Sequence, residues 1–354
     1  MNVALAYNVK PESETFHAIV SPNPNSHSQN LKPQLDTYAE WDTWETINAV
    51  KDAIEVYNNV TLIEADEESF NKFKEVKPDI VFNIAEGANG VSREAQIPAM
   101  LDMLNIPYTG SDALTLAICL DKARTKEILT YYDVPNAIFF AAGSVNDVDE
   151  IEKRNLEYPM IVKPVSEGSG KGIFASSFVN NREELKREIE RITTEYNQPA
   201  LVEEFLSGRE FTVAILGNND EINILPVIEM RFDKYPEGVT PIYSYEAKWI
   251  LDTKENDFDV FDCPAIVDEQ LEMKIKKVCL DTYKVLRCQD WSRIDLRLDK
   301  HGNPNIIEIN PIPGIIPDPK ENSGFPKAAR AAGINYNDMI NTVLASAIKR
   351  YNLL

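Results

Sequence analysis

Apolar residues in the first third of the chain follow two alternating rhythms. Short continuous runs at residues 3–7 and 79–84 predict buried strands. Between them, residues 44–57 space Ile47, Val50 and Ile54 three or four apart, which puts them on one face of a helix. Strands alternating with helices predict an α/β unit around a parallel sheet. The polar stretch 8–36, with Pro22-Asn-Pro-Asn inside it, is long for a structureless connection and predicts a lid or a mobile excursion.

Further along, residues 114–131 carry helical spacing, 137–141 and 160–165 read as strands, and 182–196 reads as a charged helix. Two strand-turn-strand units are expected next. One runs from 200–205 into 210–216; the other runs from 293–298 into 305–310 through the turn signal Asp299-Lys-His-Gly. The predicted architecture is α/β followed by α+β, divided near residues 110 and 200 into segments 1–110, 111–200 and 201–354, without internal repeats. At 354 residues the chain exceeds what one hydrophobic core usually serves, so two or three domains are expected.

Charge narrows the partners. A net charge of -21 argues against nucleic acid or an anionic membrane, because phosphate-rich surfaces are held by basic patches. The first residues lack a cationic leader, and no later run reaches the roughly 18 apolar residues of a membrane span, so a cytoplasmic protein is expected. Cys119, Cys263, Cys279 and Cys288 show no paired spacing and read as packed free thiols. The three histidines fall in the polar stretch (His17, His27) and in a turn (His301), which disfavours a serine hydrolase or a histidine-ligated metal. Gly168-Ser-Gly-Lys-Gly is not a P-loop, since Val165 and Gly172 stand where that motif needs glycine and a hydroxyl residue.

Three clusters carry candidate chemistry. In the 293–310 hairpin, residues two apart share a face, so Asp295, Glu308 and Asn310 can converge as hard oxygen donors suited to Mg²⁺; the bland reading is a polar outer face. Residues 158–172 deliver Lys163 from an apolar strand into a glycine-rich turn whose backbone amides could meet phosphate oxygens, with Ser169 inside it. Residues 201–213 set acidic side chains beside a backbone edge able to hold an adenine and ribose, or form an ordinary charged turn.

In order along the chain, Asp121-Lys-Ala-Arg-Thr-Lys, Ile161-Val-Lys-Pro with Glu167-Gly-Ser, Glu203-Glu-Phe-Leu with Glu210-Phe-Thr-Val, Tyr243-Ser-Tyr-Glu-Ala-Lys, Arg293-Ile-Asp and Glu308-Ile-Asn-Pro-Ile-Pro-Gly form one series. It resembles the motif series of D-alanine–D-alanine ligases in the ATP-grasp superfamily, from about residue 79 to the end. The resemblance implies an ATP-grasp fold behind an N-terminal parallel-sheet domain, ATP with Mg²⁺ (Mn²⁺ as a substitute), amino-acid or carboxylate substrates and a homodimer. It also implies roles: Lys122, Lys163 and Ser169 at the phosphates, Glu203 and the main chain at Glu204 and Leu206 at the adenine, and Glu210 at the ribose. Asp295, Glu308 and Asn310 would hold the metal. Lys248 would close on the transferred phosphate, and Arg293 with the Gly314 main chain would stabilise the tetrahedral intermediate. Glu40 matches the residue that binds the first substrate's amine, and Ser323 matches the one that grips the second substrate's carboxylate.

The series departs from the family at the substrates. Glu86 stands where the family has histidine; it would repel a carboxylate unless Arg93 or protonation offset it. Trp249 replaces a Tyr or Phe beside the second substrate. Three functions therefore stand open: a dipeptide ligase with D-alanine as default, a related ligase for another acid, and a nucleotide binder without turnover.

Overall fold

The computed structural model describes residues 1–11, 36–154, 156–236, 240–245, 247–248 and 259–353. Most of the expected 8–36 loop lies outside the described residues, as do His17 and His27.

The chain opens with β1 (Asn2–Tyr7), α1 (Trp44–Glu55), β2 (Asn59–Glu64), α2 (Ser69–Val76) and β3 (Ile80–Asn83). The three strands form a parallel sheet in the order β2-β1-β3, as the alternating rhythm requires. Thr43 caps α1 by accepting from the Thr46 amide, and Ile47, Val50, Ala53 and Ile54 bury its apolar face. Then come α3 (Gln96–Leu104), α4 (Ala113–Leu120) and α5 (Lys122–Tyr131). The expected single helix over 114–131 is thus two helices. Asp121 leaves the helical region (φ -82°, ψ 95°) and its carboxylate accepts from the Arg124 amide, ending one helix and capping the next.

The remaining elements are β4 (Phe139–Ala142), α6 (Val148–Lys153), β5 (Met160–Pro164), β6 (Phe178–Val179), α7 (Arg182–Glu195), β7 (Ala200–Glu204), β8 (Glu210–Leu216), β9 (Asn223–Ile224), β10 (Ile228–Met230) and β11 (Phe261–Asp262). After them follow α8 (Glu269–Val285), β12 (Trp291–Leu298), β13 (Pro304–Asn310), α9 (Gly324–Ala331) and α10 (Tyr336–Arg350). Residues 200–205 and 210–216 do not pair with each other. β7 sits between β4 and β5 in a four-stranded sheet, whereas β8 is flanked by β10 and β12 in a six-stranded one. The connection at 205–209 therefore passes from one sheet to the other, and the antiparallel β12–β13 hairpin is the unit that formed as expected.

Each sheet has an apolar back. Val162 and Val202 pack with Leu185, Ile189 and Ile192 of α7; Val213, Ile215, Ile294 and Leu296 pack with Ile275, Cys279 and Tyr283 of α8. A third cluster joins the N-terminal sheet to the C-terminal helices, with Trp291 edge-on to Phe82 and Phe325 at 5.7 and 5.6 Å. All four cysteines are free thiols, and among the described residues no helix is long and apolar enough to cross a membrane.

A polar knot ties these regions together. Fully buried Asp290 accepts from the Gly110 amide at 2.8 Å, Asn218 Nδ2 at 2.6 Å and Arg350 Nη2 at 2.7 Å, while Arg350 also donates to the carbonyls of Tyr108 and Gly110. Asp290→Ala strands those donors, so chemical denaturation should show a loss of about 3 kcal/mol, the scale of a broken buried pair. A change under about 0.5 kcal/mol, typical of surface substitutions, would remove the knot from the account.

Candidate active site

The inner faces of the two larger sheets look into one cavity. From the four-stranded sheet come Lys163 on β5 and Glu203 on β7, which face inward because Val162 and Val202 face the α7 core. From the six-stranded sheet come Glu210 and Thr212 on β8, Arg293, Asp295 and Arg297 on β12, and Glu308 on β13. Ser169, Glu204, Leu206, Lys248, Gly314 and Ser323 also line it. A second, adjoining cavity is lined by Glu40, Asp42, Glu86, Glu94 and Lys122, and shares Ser169, Lys248, Arg293, Glu308 and Gly314 with the first. Every sequence-predicted site residue that lies among the described ones is thus at or beside one of two connected cavities. Arg93 stands behind the wall of the second, and Trp249 lies outside the described residues.

The oxygen-donor cluster is set by register. Arg293 pairs with Asn310 and Asp295 with Glu308, and a bulge at Ile307 shifts the phase of β13. The shift lets Ile306 and Ile309 both enter the core while Glu308 and Asn310 stay in the site. Arg293 holds Asp295 through two hydrogen bonds, Nε to Oδ1 at 3.1 Å and Nη2 to Oδ2 at 2.9 Å, and the Thr212 hydroxyl donates to the same carboxylate. The Asn310 amide satisfies both its ends with its oxygen 2.9 Å from Arg293 Nη2 and its nitrogen 3.1 Å from Glu308 Oε1. Lys122 reaches to 3.9 Å from Glu308 and donates to the Glu167 carbonyl. Among the described residues no group of three His, Cys, Asp or Glu converges as a metal cage. Two carboxylates and one amide make a partial set, the kind that Mg²⁺ completes with substrate phosphates and water.

Glu203 lies between two buried lysines, Lys126 Nζ at 2.6 Å and Lys163 Nζ at 2.7 Å. Burial alone would raise its carboxyl, but the two ammonium groups outweigh it and hold the group below its usual value. Lys126, which also donates to the Ile306 carbonyl at 3.2 Å, was not legible as a site residue; its position one helical turn after Lys122 was the available signal. Burial pushes Glu210 up to about 7, against the pull of Arg297, whose Nη1 is 3.2 Å away. Burial, with Arg293 and Lys10 nearby, lowers Lys248 to about 8. The Ser323 hydroxyl donates to the Gly314 carbonyl at 3.0 Å and accepts from the Ile316 amide at 3.2 Å, bracing the loop before α9.

At the second cavity the structure changes the expected pairing. Arg93 makes no hydrogen bond to Glu86, and burial and the neighbouring carboxylates outweigh the downward pull of its charge on that carboxyl. It grips Glu40 instead, with Nη2 at 2.6 and 2.7 Å from the two oxygens, and adds bonds to the Ser166 carbonyl at 2.8 Å and Glu167 Oε2 at 3.2 Å. Glu40 also accepts from the Gly168 amide, so close that a Cβ on Gly168 would stand 2.7 Å from the carboxylate. Glu40 is therefore consumed in tying the N-terminal segment to the glycine-rich turn. Gly87 is required for the neighbouring turn: it has φ +74°, and a Cβ there would lie 2.6 Å from the Arg93 carbonyl. Burial and then the carboxylates of Glu94, Glu40 and Asp42 raise Glu86 well above its usual value. Glu94 rises to about 8, through burial and then Glu40, and Asp42 to about 7 through burial.

Comparison with known proteins places this geometry. A family model described as the D-ala D-ala ligase C-terminus matches residues 134–345. The D-alanine–D-alanine ligase of Pelotomaculum thermopropionicum is 34% identical over 313 residues, spanning 86% of this chain and 92% of that enzyme. The chain belongs to the D-alanine–D-alanine ligase family. As a member it is an ATP-dependent, ADP-forming ligase with an ATP-grasp fold. An uncharacterized protein of Sinorhizobium fredii is 34% identical over 272 residues, covering 77% of this chain and 75% of that one. Among solved structures, the ATP complex of the Bacillus anthracis D-alanine–D-alanine ligase aligns over 100% of this chain and 99% of that one, with TM-score 0.71 and 22% identity. The D-Ala:D-Ser ligase VanG of Enterococcus faecalis aligns over 98% and 99%, with TM-score 0.67 and 22% identity, so this chain shares the fold of both.

Proposed function

We propose that this ligase activates the carboxylate of one amino acid as an acyl-phosphate and joins it to the amine of a second. The observation that carries the reading is the shared cavity, in which Lys163 and Glu203 of one sheet face Arg293, Asp295 and Glu308 of the other. ATP would lie between the sheets, with its adenine near Glu203, Glu204 and Leu206, its ribose at Glu210, and its phosphates toward Lys122, Lys163, Ser169 and Lys248. Asp295, Glu308 and Asn310 would hold Mg²⁺, which when bound neutralises phosphate charge. A carboxylate oxygen of the first substrate attacks the γ-phosphorus and ADP leaves. The second substrate's amine then attacks the carbonyl carbon, phosphate leaves with that oxygen, and the new amide nitrogen loses a proton. Arg293 and the Gly314 main chain face the region where the tetrahedral oxyanion would develop. The reaction needs positioned cations and no enzyme nucleophile. A cytoplasmic homodimer rests on the family resemblance.

The test is ADP release by the purified full chain with Mg²⁺ and ATP, screened over D- and L-amino acids singly and in pairs. Release with D-alanine alone supports the dipeptide reading with the family's default substrate. Release with another acid keeps the chemistry and changes the substrate, an outcome favoured by Glu86 and its raised carboxyl. ATP binding with no release for any acid would contradict ligation.

Lys248 gives this site a pH dependence. In the free enzyme its pKa is lowered to about 8, and phosphates beside it favour the protonated form, so nucleotide binding takes up a proton once the pH exceeds that value. KM for ATP should rise as pH climbs through 8, and Lys248→Arg should flatten the profile by holding its charge. A wild-type KM for ATP that stays constant across that range would contradict a phosphate contact by Lys248.

A further inference from the structure

The proposed ligase reading leaves the acid side of the second cavity unexplained, and the following inference rests on that reading. Glu94 is 8% exposed, lines the cavity and has no hydrogen-bond or ion-pair partner among the described residues. Glu86 lines the same wall, also without such a partner among the described residues. A buried carboxyl without a donor is costly, and natural sites rarely retain one unless something arrives to pair it. The hydrogen bonds of the nearby cations go to other carboxylates: Arg93 binds Glu40 and Glu167, and Lys171 binds Glu167 at 2.9 Å. Lys122, Arg293 and Lys248 line the same cavity, Lys122 close enough to Glu94 to draw its carboxyl down against burial. The cavity thus offers both cations that could meet a carboxylate and carboxyls that could meet ammonium groups. An alanine brings one ammonium group to this acid wall; Glu86 and Glu94 together offer places for two donors, and Asp42 lies beside them.

We propose that the acid activated by this enzyme is a short diamino carboxylic acid, its carboxylate toward Lys122 and Arg293 and its two ammonium groups toward Glu94 and Glu86. The length limit follows from the cavity, about 70 Å³ against about 220 Å³ for the neighbouring nucleotide cavity. Glu40, held by Arg93 and the Gly168 amide, takes up the Arg93 hydrogen bonds that these carboxyls would otherwise receive.

Hydroxylamine trapping isolates this step. Its nitrogen attacks the acyl-phosphate carbonyl, phosphate leaves, and the hydroxamate reports the first substrate without a second amino acid. With the full chain, Mg²⁺ and ATP, diaminopropionate and diaminobutyrate are compared with their uncharged isosteres aminobutyrate and norvaline, and with alanine, in both stereochemical series. The expected kcat/KM ratio of diamino acid to isostere is about tenfold or more, the discrimination of one charge-assisted hydrogen bond. Glu94→Gln and Glu86→Gln should each pull that ratio toward unity while KM for ATP stays within about twofold, as expected for a site separate from the nucleotide. Nucleotide-dependent thermal protection identifies the folded variants, and either variant alone suffices. Hydroxamate formed equally well from the isosteres, or a ratio untouched by a folded variant, overturns the proposal and leaves the ligase reading standing. Nucleotide binding with no hydroxamate from any acid overturns both.

Discussion

Glu308→Gln is expected to lower kcat by about a hundred- to a thousandfold, the scale on which removal of one charge-stabilising group acts, and to raise the Mg²⁺ concentration needed for half-maximal rate. The change keeps the shape of the side chain and removes its charge. Glu308 sits opposite Asp295 in register and 3.9 Å from Lys122, so it stands between the proposed metal position and a phosphate-side cation. Its loss leaves Asp295, already engaged by Arg293 and Thr212, as the remaining carboxylate of the set. Steady-state kinetics across a Mg²⁺ titration measure both effects together. Unchanged kcat with an unchanged Mg²⁺ response would remove Glu308 from the metal assignment and with it the reading of the hairpin.

The second large effect is on folding. Glu203→Gln leaves Lys126 and Lys163 buried, 1% and 3% exposed, with their shared counter-charge gone. Breaking a buried pair from one side costs about 3–5 kcal/mol, because the remaining charge is stranded in a poorly solvating interior. Lys126, which burial already lowers despite Glu203, is the group that should give up its proton first. A lysine whose folded pKa falls below its unfolded value binds fewer protons when folded, so stability rises with pH until the unfolded lysine also titrates. The deficit of Glu203→Gln should therefore be largest at neutral pH and narrow under alkaline conditions, as measured by unfolding free energies at the two. A deficit that stays constant with pH would show that lysine charge is not its origin.

What was legible in the sequence follows the range of the forces involved. The β1 and β3 strands, α1 and the β12–β13 hairpin were readable because each is marked by local periodicity or by a turn signal such as Asp299-Lys-His-Gly, where Gly302 has φ +80°. The break at Asp121 was missed because apolar spacing continues on both sides of it, although an aspartate before Lys122 is itself a capping signal. The separation of β7 from β8 could not be read, since strand partners are chosen by contacts distant in sequence and a connection as short as 205–209 suits a hairpin equally well. In the site, the motif residues Lys163, Glu203, Arg293, Asp295 and Glu308 were nameable through the family series, and the structure brings them to one cavity. The bulge at Ile307, the second lysine on Glu203 and the capture of Arg93 by Glu40 depend on register and on side chains that meet from segments distant in sequence. A sequence pattern places residues on faces; it does not assign partners among several nearby charges.

The central claim, an acyl-phosphate formed in the cavity between the two sheets, is tested most directly by following one oxygen atom. The acid identified by ADP release is prepared with heavy oxygen in its carboxylate and turned over once with Mg²⁺, ATP and the second substrate. Attack of that carboxylate on the γ-phosphorus carries one labelled oxygen into the released inorganic phosphate, and the account predicts label there in equal amount to ADP formed. Phosphate without label, with both labelled oxygens still on the unreacted acid or water-derived oxygen in the phosphate, would contradict it.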